Sequence, residues 1–398
     1  MIQLQDRPFV EISAGTFNIP PRGYGGVERF AFGLAKSVSM KIQTVIIDFS
    51  NVREDIMFDE VRVMRLRNSL RLVKGRGLIV YSWNAMTASL VLFSSFLRHE
   101  IRLERPILFF YNGLEYGIFR RLQMVFIPSL RPLYVFRLPS PKWMHFSLVP
   151  WWQRILAVPT ELYAISTASA VVFESDVVRD SLLEYHKMAT KSYVLPNAVD
   201  TDYFSKEKYR AKSRPYGILY AARIKRQKNQ LAVIRAMALV VKVVPEAELL
   251  LLGDPDEDDY DKIVRTEVSK LGIESHVKFH PPASIEELNM VRSEYLVQLV
   301  YSDYTGFDVA VGESLAMSAA CIFSDIPTLR GIAENGVNCI LVPPNNPEKL
   351  ANAMVDLLSD PQKAKRLAAE ARRIAVSRLS WQALGQGFLD FLSKLKPK

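Results

Sequence analysis

Short apolar runs alternate with stretches whose apolar residues recur at helical spacing along nearly the whole chain. In the first half the runs predict strands at Phe9–Ile12, Thr44–Phe49, Val61–Leu66, Leu78–Val80, Ile107–Tyr111 and Ala170–Glu174. In the second half they predict strands at Gly217–Ala221, Glu248–Gly253, Val277–Phe279, Val297–Val300, Cys321–Ser324 and Cys339–Leu341. Between strands, Val27, Phe30, Ala31, Leu34, Ala35 and Val38 fall on one helical face, as do Leu231, Ile234, Ala238 and Val241. Further helices are expected from Pro347 to Leu357 and from Trp381 to Lys394. Such alternation predicts parallel sheets flanked by helices. The polar stretch from Thr201 to Pro215 has the composition of a linker. The longest uncharged run, Gly77 to Leu97, carries several serines with Asn84 and Thr87, and it divides into a strand, a turn and a helix from Ala85 to Phe96. A transmembrane span would be more continuously apolar.

Candidate chemistry starts at Thr305-Gly306-Phe307-Asp308-Val309-Ala310-Val311-Gly312-Glu313, where a strand ends, turns through glycine and opens a helix carrying an acid. Backbone N–H groups at Gly306 and Phe307 would point from a helix N-terminus, which favours an anion such as phosphate. Glu313, one and a half turns on, would accept hydrogen bonds from hydroxyls. Glycine turns before helices are also common as purely structural features. Arg223 follows the strand at Gly217–Ala221, with Lys228 five residues later at the start of a helical pattern. Two cations at one strand end suit a diphosphate.

That order of strand, Arg, Lys, helix, then strand, Gly-Phe turn and Glu resembles the C-terminal half of retaining GT-B glycosyltransferases of the large family 4, the glycosyl transferases group 1. The junction Leu195-Pro196-Asn197-Ala198-Val199-Asp200, the loop Gly23-Tyr24-Gly25-Gly26-Val27-Glu28 and the closing run Val337 to Pro344 extend the resemblance. It implies an α/β fold of two facing Rossmann-like domains with parallel sheets and a cleft between them. Residues 1–200 would bind the acceptor, residues 201–380 the nucleotide-sugar donor, and residues 381–398 would form a helix returning to the N-terminal domain.

By the same resemblance Arg223 and Lys228 hold the donor diphosphate as catalytic cations, Glu313 binds the ribose, and Gly25, Gly26, Thr305, Gly306 and Phe307 line the donor. Asn112 and Glu115 would meet the acceptor. Relatives bind donors without a metal, so no metal or other cofactor is expected. Two departures stand out. Thr305 replaces the first acid of a pair spaced eight apart, and Asn112 occupies a position where relatives commonly carry histidine. Asparagine can hold a sugar hydroxyl but exchanges no proton near neutral pH.

Composition changes the picture in one respect. The 398 residues, 49% hydrophobic and 23% charged, suit two globular α/β domains rather than disorder. Cys321 and Cys339 both sit in strand-like runs, which favours reduced thiols, and Met1 to Pro8 lacks the pattern of a secretory signal. A cytoplasmic protein is expected. Net charge is +9, and residues 1–200 hold 24 Lys/Arg against 17 Asp/Glu, so most of the excess lies there.

Within that half, residues 117–160 contain six cations and no acid, interleaved with aromatics that include Phe119, Tyr134, Phe136, Trp151 and Trp152. Pro128, Pro132, Pro139, Pro141 and Pro150 break the segment, so helical hairpins or an irregular flap are expected. Such residues suit an anionic bilayer surface. Ordinary packing would use them equally, and single-stranded nucleic acid similarly. The acids between Asp254 and Asp261 precede a helix whose N-terminus they favour and do not form an expected metal site, and the five histidines show no ligand spacing.

The expected function is transfer of a sugar, with retention, from a nucleoside diphosphate sugar to an acceptor hydroxyl. The acceptor would be a glycan or lipid-linked glycan, met by a peripheral protein at the cytoplasmic membrane face, and nucleic acid is not an expected partner. The alternative is a catalytically silent protein of the same fold that binds a nucleotide sugar or glycan within an assembly.

Overall fold

The computed structural model describes residues 7–12, 26–49, 55–66, 78–98, 101, 103–138, 151–185, 191–209, 212–281, 284–302 and 308–396. The chain divides into two compact units, residues 1–196 with 384–398, and residues 197–383.

The first unit is built on eight strands, β1 (Phe9–Ile12), β2 (Thr44–Asp48), β3 (Ile56–Phe58), β4 (Val61–Arg65), β5 (Ile107–Phe110), β6 (Leu133–Leu138), β7 (Ala170–Phe173) and β8 (Lys191–Val194). Their order is β3-β4-β2-β1-β5-β6-β7-β8, parallel throughout except for the edge hairpin β3–β4. Helices α1 (Gly26–Ser39), α2 (Leu78–Leu97), α3 (Gly113–Phe126), α4 (Trp151–Thr167) and α5 (Asp176–Tyr185) connect them. The expected face of α1 is buried at Phe30, Ala31, Leu34, Ala35 and Val38.

The second unit has the order β11-β10-β9-β12-β13-β14, all parallel. Its strands are β9 (Arg214–Ala221), β10 (Glu248–Leu252), β11 (Val277–His280), β12 (Tyr295–Val300), β13 (Ala320–Ser324) and β14 (Cys339–Val342). Flanking them are α6 (Gln230–Val240), α7 (Asp258–Leu271), α8 (Ile285–Glu294), α9 (Val309–Ala316), α10 (Pro347–Ser359) and α11 (Pro361–Ile374). In each sheet the strand order reverses once, between β1 and β5 and between β9 and β12. Parallel sheets bind ligands beyond the carboxyl ends of the strands at such a reversal.

Three sequence expectations are corrected. Leu78–Val80 is not a strand but the first turn of the 20-residue α2, because its apolar residues continue the helical repeat of the run that follows. The stretch from Thr201 is no loose linker: Val199, Thr201 and Phe204 are buried in the second unit, and Arg372 donates to the carbonyls of Thr201 and Phe204, both at 2.9 Å. The basic aromatic segment is in good part sheet and core rather than flap. Residues 117–126 complete α3 and Leu133–Leu138 form the central strand β6, with Phe119, Tyr134 and Phe136 buried. Residues 139–150 and the side chains of Trp151 and Trp152 lie outside the described residues.

The last helix, α12 (Trp381–Ser393), packs on the first unit through Phe388, which is fully buried. Its ring meets those of Phe9 and Phe109 edge-on at 6.3 and 6.1 Å and lies 5.8 Å from Tyr193. Truncating a buried phenylalanine removes its transfer energy and leaves a cavity. Phe388→Ala should destabilise the first unit by about 3–5 kcal/mol, read from denaturant unfolding followed on the intact chain.

Candidate active site

At the reversal point of the second sheet, β9 ends at Ala221 and delivers Arg223, while β12 ends at Val300 and leads to α9. The Tyr220 hydroxyl lies 2.6 Å from the Lys228 carbonyl and also contacts the carbonyl of Tyr301, joining the two strand ends. Lys228 closes a short turn over Arg226–Lys228, after which Asn229 adopts a left-handed conformation and caps α6 through the N–H of Ala232. Gly253, just after β10, permits a close backbone approach: a Cβ there would lie 2.2 Å from the Ala222 carbonyl oxygen. Any side chain at that position would push against the segment carrying Arg223.

The two expected cations reach different settings. Arg223 is exposed and donates to Asp256 at 3.3 Å. Lys228 is largely buried and its ammonium contacts the carboxylate of Asp308, which also caps α9 by accepting from the N–H of Ala310 at 3.2 Å. Burial, with Lys225 and Arg223 nearby, pushes the Lys228 ammonium down to about 7, and the Asp308 carboxylate opposes that shift by favouring the charged form. Lys228 is thereby held at the N-terminus of α9, where an anion is favoured by the helix dipole and unpaired N–H groups.

Glu313 lies within α9 and is buried against Arg292 of α8, whose Nη2 donates to Oε2 at 3.0 Å. Arg292 Nη1 also donates to Gln298 at 2.8 Å and to Ser314 at 3.0 Å. A buried carboxylate needs such a partner, since an unpaired charge there would cost several kcal/mol. Glu313 is therefore more enclosed than an acid presented openly to hydroxyls. Thr305, Gly306, Phe307 and Gly25 lie outside the described residues, while Gly26 is the first residue of α1.

Asp308 and Arg292 were missed in the sequence reading. Asp308 was legible as an aspartate directly before a helical pattern, the usual place for an N-cap. Arg292 carried no comparable local signal, because its partners come from three separate elements. Asp256 pairs with Arg223, and Glu257 and Asp259 pair with Arg226, while the acids from Asp258 onward occupy the first turn of α7. Among the described residues, no group of three or more His, Cys, Asp or Glu side chains is placed to hold a metal ion.

The reversal point of the first sheet holds the other expected residues. Asn112 caps α3 by accepting from the N–H of Leu114 at 2.9 Å, and its Oδ1 also accepts from the Tyr81 hydroxyl at 3.1 Å. Its amide reaches Glu115 at 3.4 Å. Glu115 is buried, and burial pushes its carboxyl up to about 8. Beside them, Glu11 on β1 accepts from the Tyr111 hydroxyl, and Arg137 on β6 stacks over Phe30 with 3.4 Å from its guanidinium carbon to the ring centre. Burial raises the Glu11 carboxyl well above the ordinary range and lowers Arg137 to about 10, each opposed by the charge of the other. These buried charges at one strand end escaped the sequence reading because Glu11 reads as one polar residue inside an apolar run.

Part of the chain is similar to a known protein family. Residues 203–374 match the family profile described as glycosyl transferases group 1. The chain is 24% identical over 242 residues to an alpha-D-kanosaminyltransferase of Streptomyces kanamyceticus, covering 56% of this chain and 60% of that protein. It is also 24% identical to the GDP-mannose-dependent alpha-(1-6)-phosphatidylinositol monomannoside mannosyltransferase of Mycolicibacterium smegmatis, covering 61% and 67% of the two chains. The matched part thus spans about three fifths to two thirds of those relatives' own length.

Among solved structures, sucrose-phosphate synthase from Thermosynechococcus elongatus superposes with a TM-score of 0.77 at 19% identity, covering 97% of this chain and 98% of that one. Anabaena HepE, solved with UDP-glucose, superposes with 0.72 at 18% identity, covering 98% and 100%. The likeness to these structures shows that the chain has the GT-B fold.

Glu115 supplies a pH test of the first unit. A carboxyl whose pKa rises on folding binds its proton more tightly in the folded chain, so stability falls as pH climbs from the ordinary carboxylate range to about 8. Glu115→Gln should flatten that slope and raise the melting temperature at pH 8 by at least about 2 °C, measured by calorimetry across the pH range.

Proposed function

We propose that the chain is a retaining, metal-independent glycosyltransferase that moves a sugar from a nucleoside diphosphate sugar to an acceptor hydroxyl. The observation that carries this reading is the meeting of Lys228, the N-terminus of α9 and the Arg223 strand end at the reversal point of the second sheet. Breaking the bond between the anomeric carbon and phosphate leaves negative charge on the diphosphate, and fixed cations with N–H donors stabilise that charge. Arg223 and Lys228 provide the cations, and the backbone of Gly306 and Phe307 the donors. Gly25 and Gly26 allow backbone to approach the donor without a side chain in the way.

In a same-face reaction the acceptor oxygen bonds to the anomeric carbon on the side that the phosphate leaves, and its proton passes to the departing phosphate oxygen. No strong side-chain base is required, which accommodates Asn112. Glu313, oriented by Arg292, takes the ribose hydroxyls, Thr305 contributes to donor binding, and Asn112 with Glu115 binds the acceptor. The acceptor is a glycan or lipid-linked glycan, and the protein is cytoplasmic and peripheral on the membrane. A nucleotide-sugar donor is supported by the UDP-glucose bound to Anabaena HepE, and a lipid acceptor by the phosphatidylinositol monomannoside in the name of the Mycolicibacterium smegmatis relative.

One observation favours a catalytically silent binder instead. Both expected cations are already paired, Arg223 with Asp256 and Lys228 with Asp308. Multiple turnovers with any nucleotide sugar would remove that reading. Thermal-shift screening with UDP, GDP, ADP and their sugar conjugates identifies the donor, since a bound ligand stabilises in proportion to saturation.

Lys228→Ala should then lower kcat/KM for sugar transfer about 100- to 1000-fold, followed by release of the nucleoside diphosphate; unchanged turnover would refute the site. Asp308→Asn keeps the helix cap but frees Lys228 from a competing carboxylate. Titration calorimetry below pH 7 should show the nucleoside diphosphate binding about tenfold more tightly, and this gain should vanish as pH rises, because the ammonium, already pushed down to about 7 by burial with Asp308 present, gives up its proton more readily once that carboxylate is gone.

A further inference from the structure

Helix α2 is apolar on both sides. Its inner face buries Ala85, Ala88, Leu92 and Phe96 in the core of the first unit. Its outer face carries Ile79, Trp83, Met86, Leu90, Phe93 and Leu97; Ile79 is 82% and Leu97 50% exposed, Trp83, Met86 and Leu90 are 37–39% exposed, and Phe93 is half-buried. The spacing of four and three residues keeps all six on one stripe. No charged residue interrupts the helix. By length and composition it could cross a membrane, with 44% of the apolar window buried. Its inner face, however, is built into the sheet's helical layer, so the stripe lies along the surface of a folded unit.

The last turn of α3 extends the stripe sideways. Met124, Val125 and Phe126 are exposed, Val125 at 70%, and the ring of Phe126 meets that of Phe93 edge-on at 5.7 Å. A contiguous apolar surface of this kind marks an interaction site.

Charge identifies its occupant. Arg98 follows Leu97 directly, and exposed Arg105 and Arg131 precede β5 and β6, neighbouring strands that start at the same end of the sheet. Arg7 is buried and donates to the Arg105 carbonyl at 3.0 Å, which places its charge beneath that surface rather than on it, and Glu104 is an exposed acid in the same loop. A second copy of the chain would set like charge against like, since residues 1–200 hold 24 Lys/Arg against 17 Asp/Glu, and α2 offers no charges to register a helix pair. An anionic lipid surface satisfies both features: acyl chains cover the stripe and headgroups meet the arginines.

We infer that the outer stripe of α2 and the last turn of α3 form a face that seats the protein on an anionic bilayer, with α2 lying in the interface. This seat deepens the membrane-face reading above and rests on that reading only for the acceptor. A helix of 20 residues is about 30 Å long, and Tyr81 in its first turns donates to Asn112. A lipid-linked acceptor held in the same surface therefore approaches Asn112 from the N-terminal end of α2.

The test is sedimentation of the full chain with phosphatidylcholine vesicles containing or lacking phosphatidylglycerol. Wild type should partition onto the anionic vesicles, and Leu90→Glu with Val125→Glu should reduce that at least about tenfold. Val125→Glu alone, at an exposed position, should give a smaller loss without a change in melting temperature. Equal partitioning of wild type and double variant would overturn the proposal. So would a wild-type dimer in analytical ultracentrifugation that the double variant dissociates while neither protein binds vesicles. The UDP-induced thermal shift is read separately: its absence from wild type would sink the donor reading and leave the vesicle result standing.

Discussion

A single buried hydroxyl organises the second unit's site. Tyr220 lies near the carboxyl end of β9, and its one proton is shared between the carbonyls of Lys228 and Tyr301. Tyr301 passes the constraint on, donating to the Pro343 carbonyl at 2.8 Å and accepting from the N–H of Asn346 at 3.0 Å. Three strand ends and the cation-bearing turn are thereby tied to one point. Buried polar groups that lose a partner are costly, so these contacts fix where Lys228 can sit. The pairing of Lys228 with Asp308 at the N-terminus of α9 follows from that placement.

The charges at the second unit's site are kept in pairs. Lys228 with Asp308, Arg223 with Asp256 and Arg292 with Glu313 each bind a cation to a carboxylate from another element. The pairs differ in what they can do. Arg292 and Glu313 are both deeply buried, where separating them would be prohibitive, so the pair acts as scaffold for the carboxylate. Arg223 is exposed, where an ion pair is worth little and exchanges readily. Lys228 stands between these extremes, and its partner is the residue whose exchange for a phosphate decides whether the site works as a transferase.

Much of the architecture was readable before any coordinates. Eleven of the twelve expected strands are present, because a buried parallel strand needs a nearly continuous apolar run and little else produces one. The exception, Leu78–Val80, failed because a short apolar run cannot distinguish strand from buried helix by pattern alone. Strands β3, β6 and β8 were missed for related reasons: β8 and β3 are only partly buried, and β6 contains Arg137. For the aromatic segment composition left a bilayer surface and ordinary packing both open, and Phe119, Tyr134 and Phe136 turn out to be core. Composition counts side chains but does not say which way they point.

What the sequence by itself determined was the alternation of strand and helix, the position of Arg223 and Lys228 after a strand, and the helix that carries Glu313. These are local, since propensity and periodicity act over a few residues. Only the tertiary structure decided the partners. Asp308 meets Lys228 across 80 residues of chain, and Arg292 meets Glu313 across 21. It also decided that both faces of α2 would be apolar, one for the core and one outward. Such choices depend on which strand ends the sheet order brings together, and strand order is a property of the whole fold.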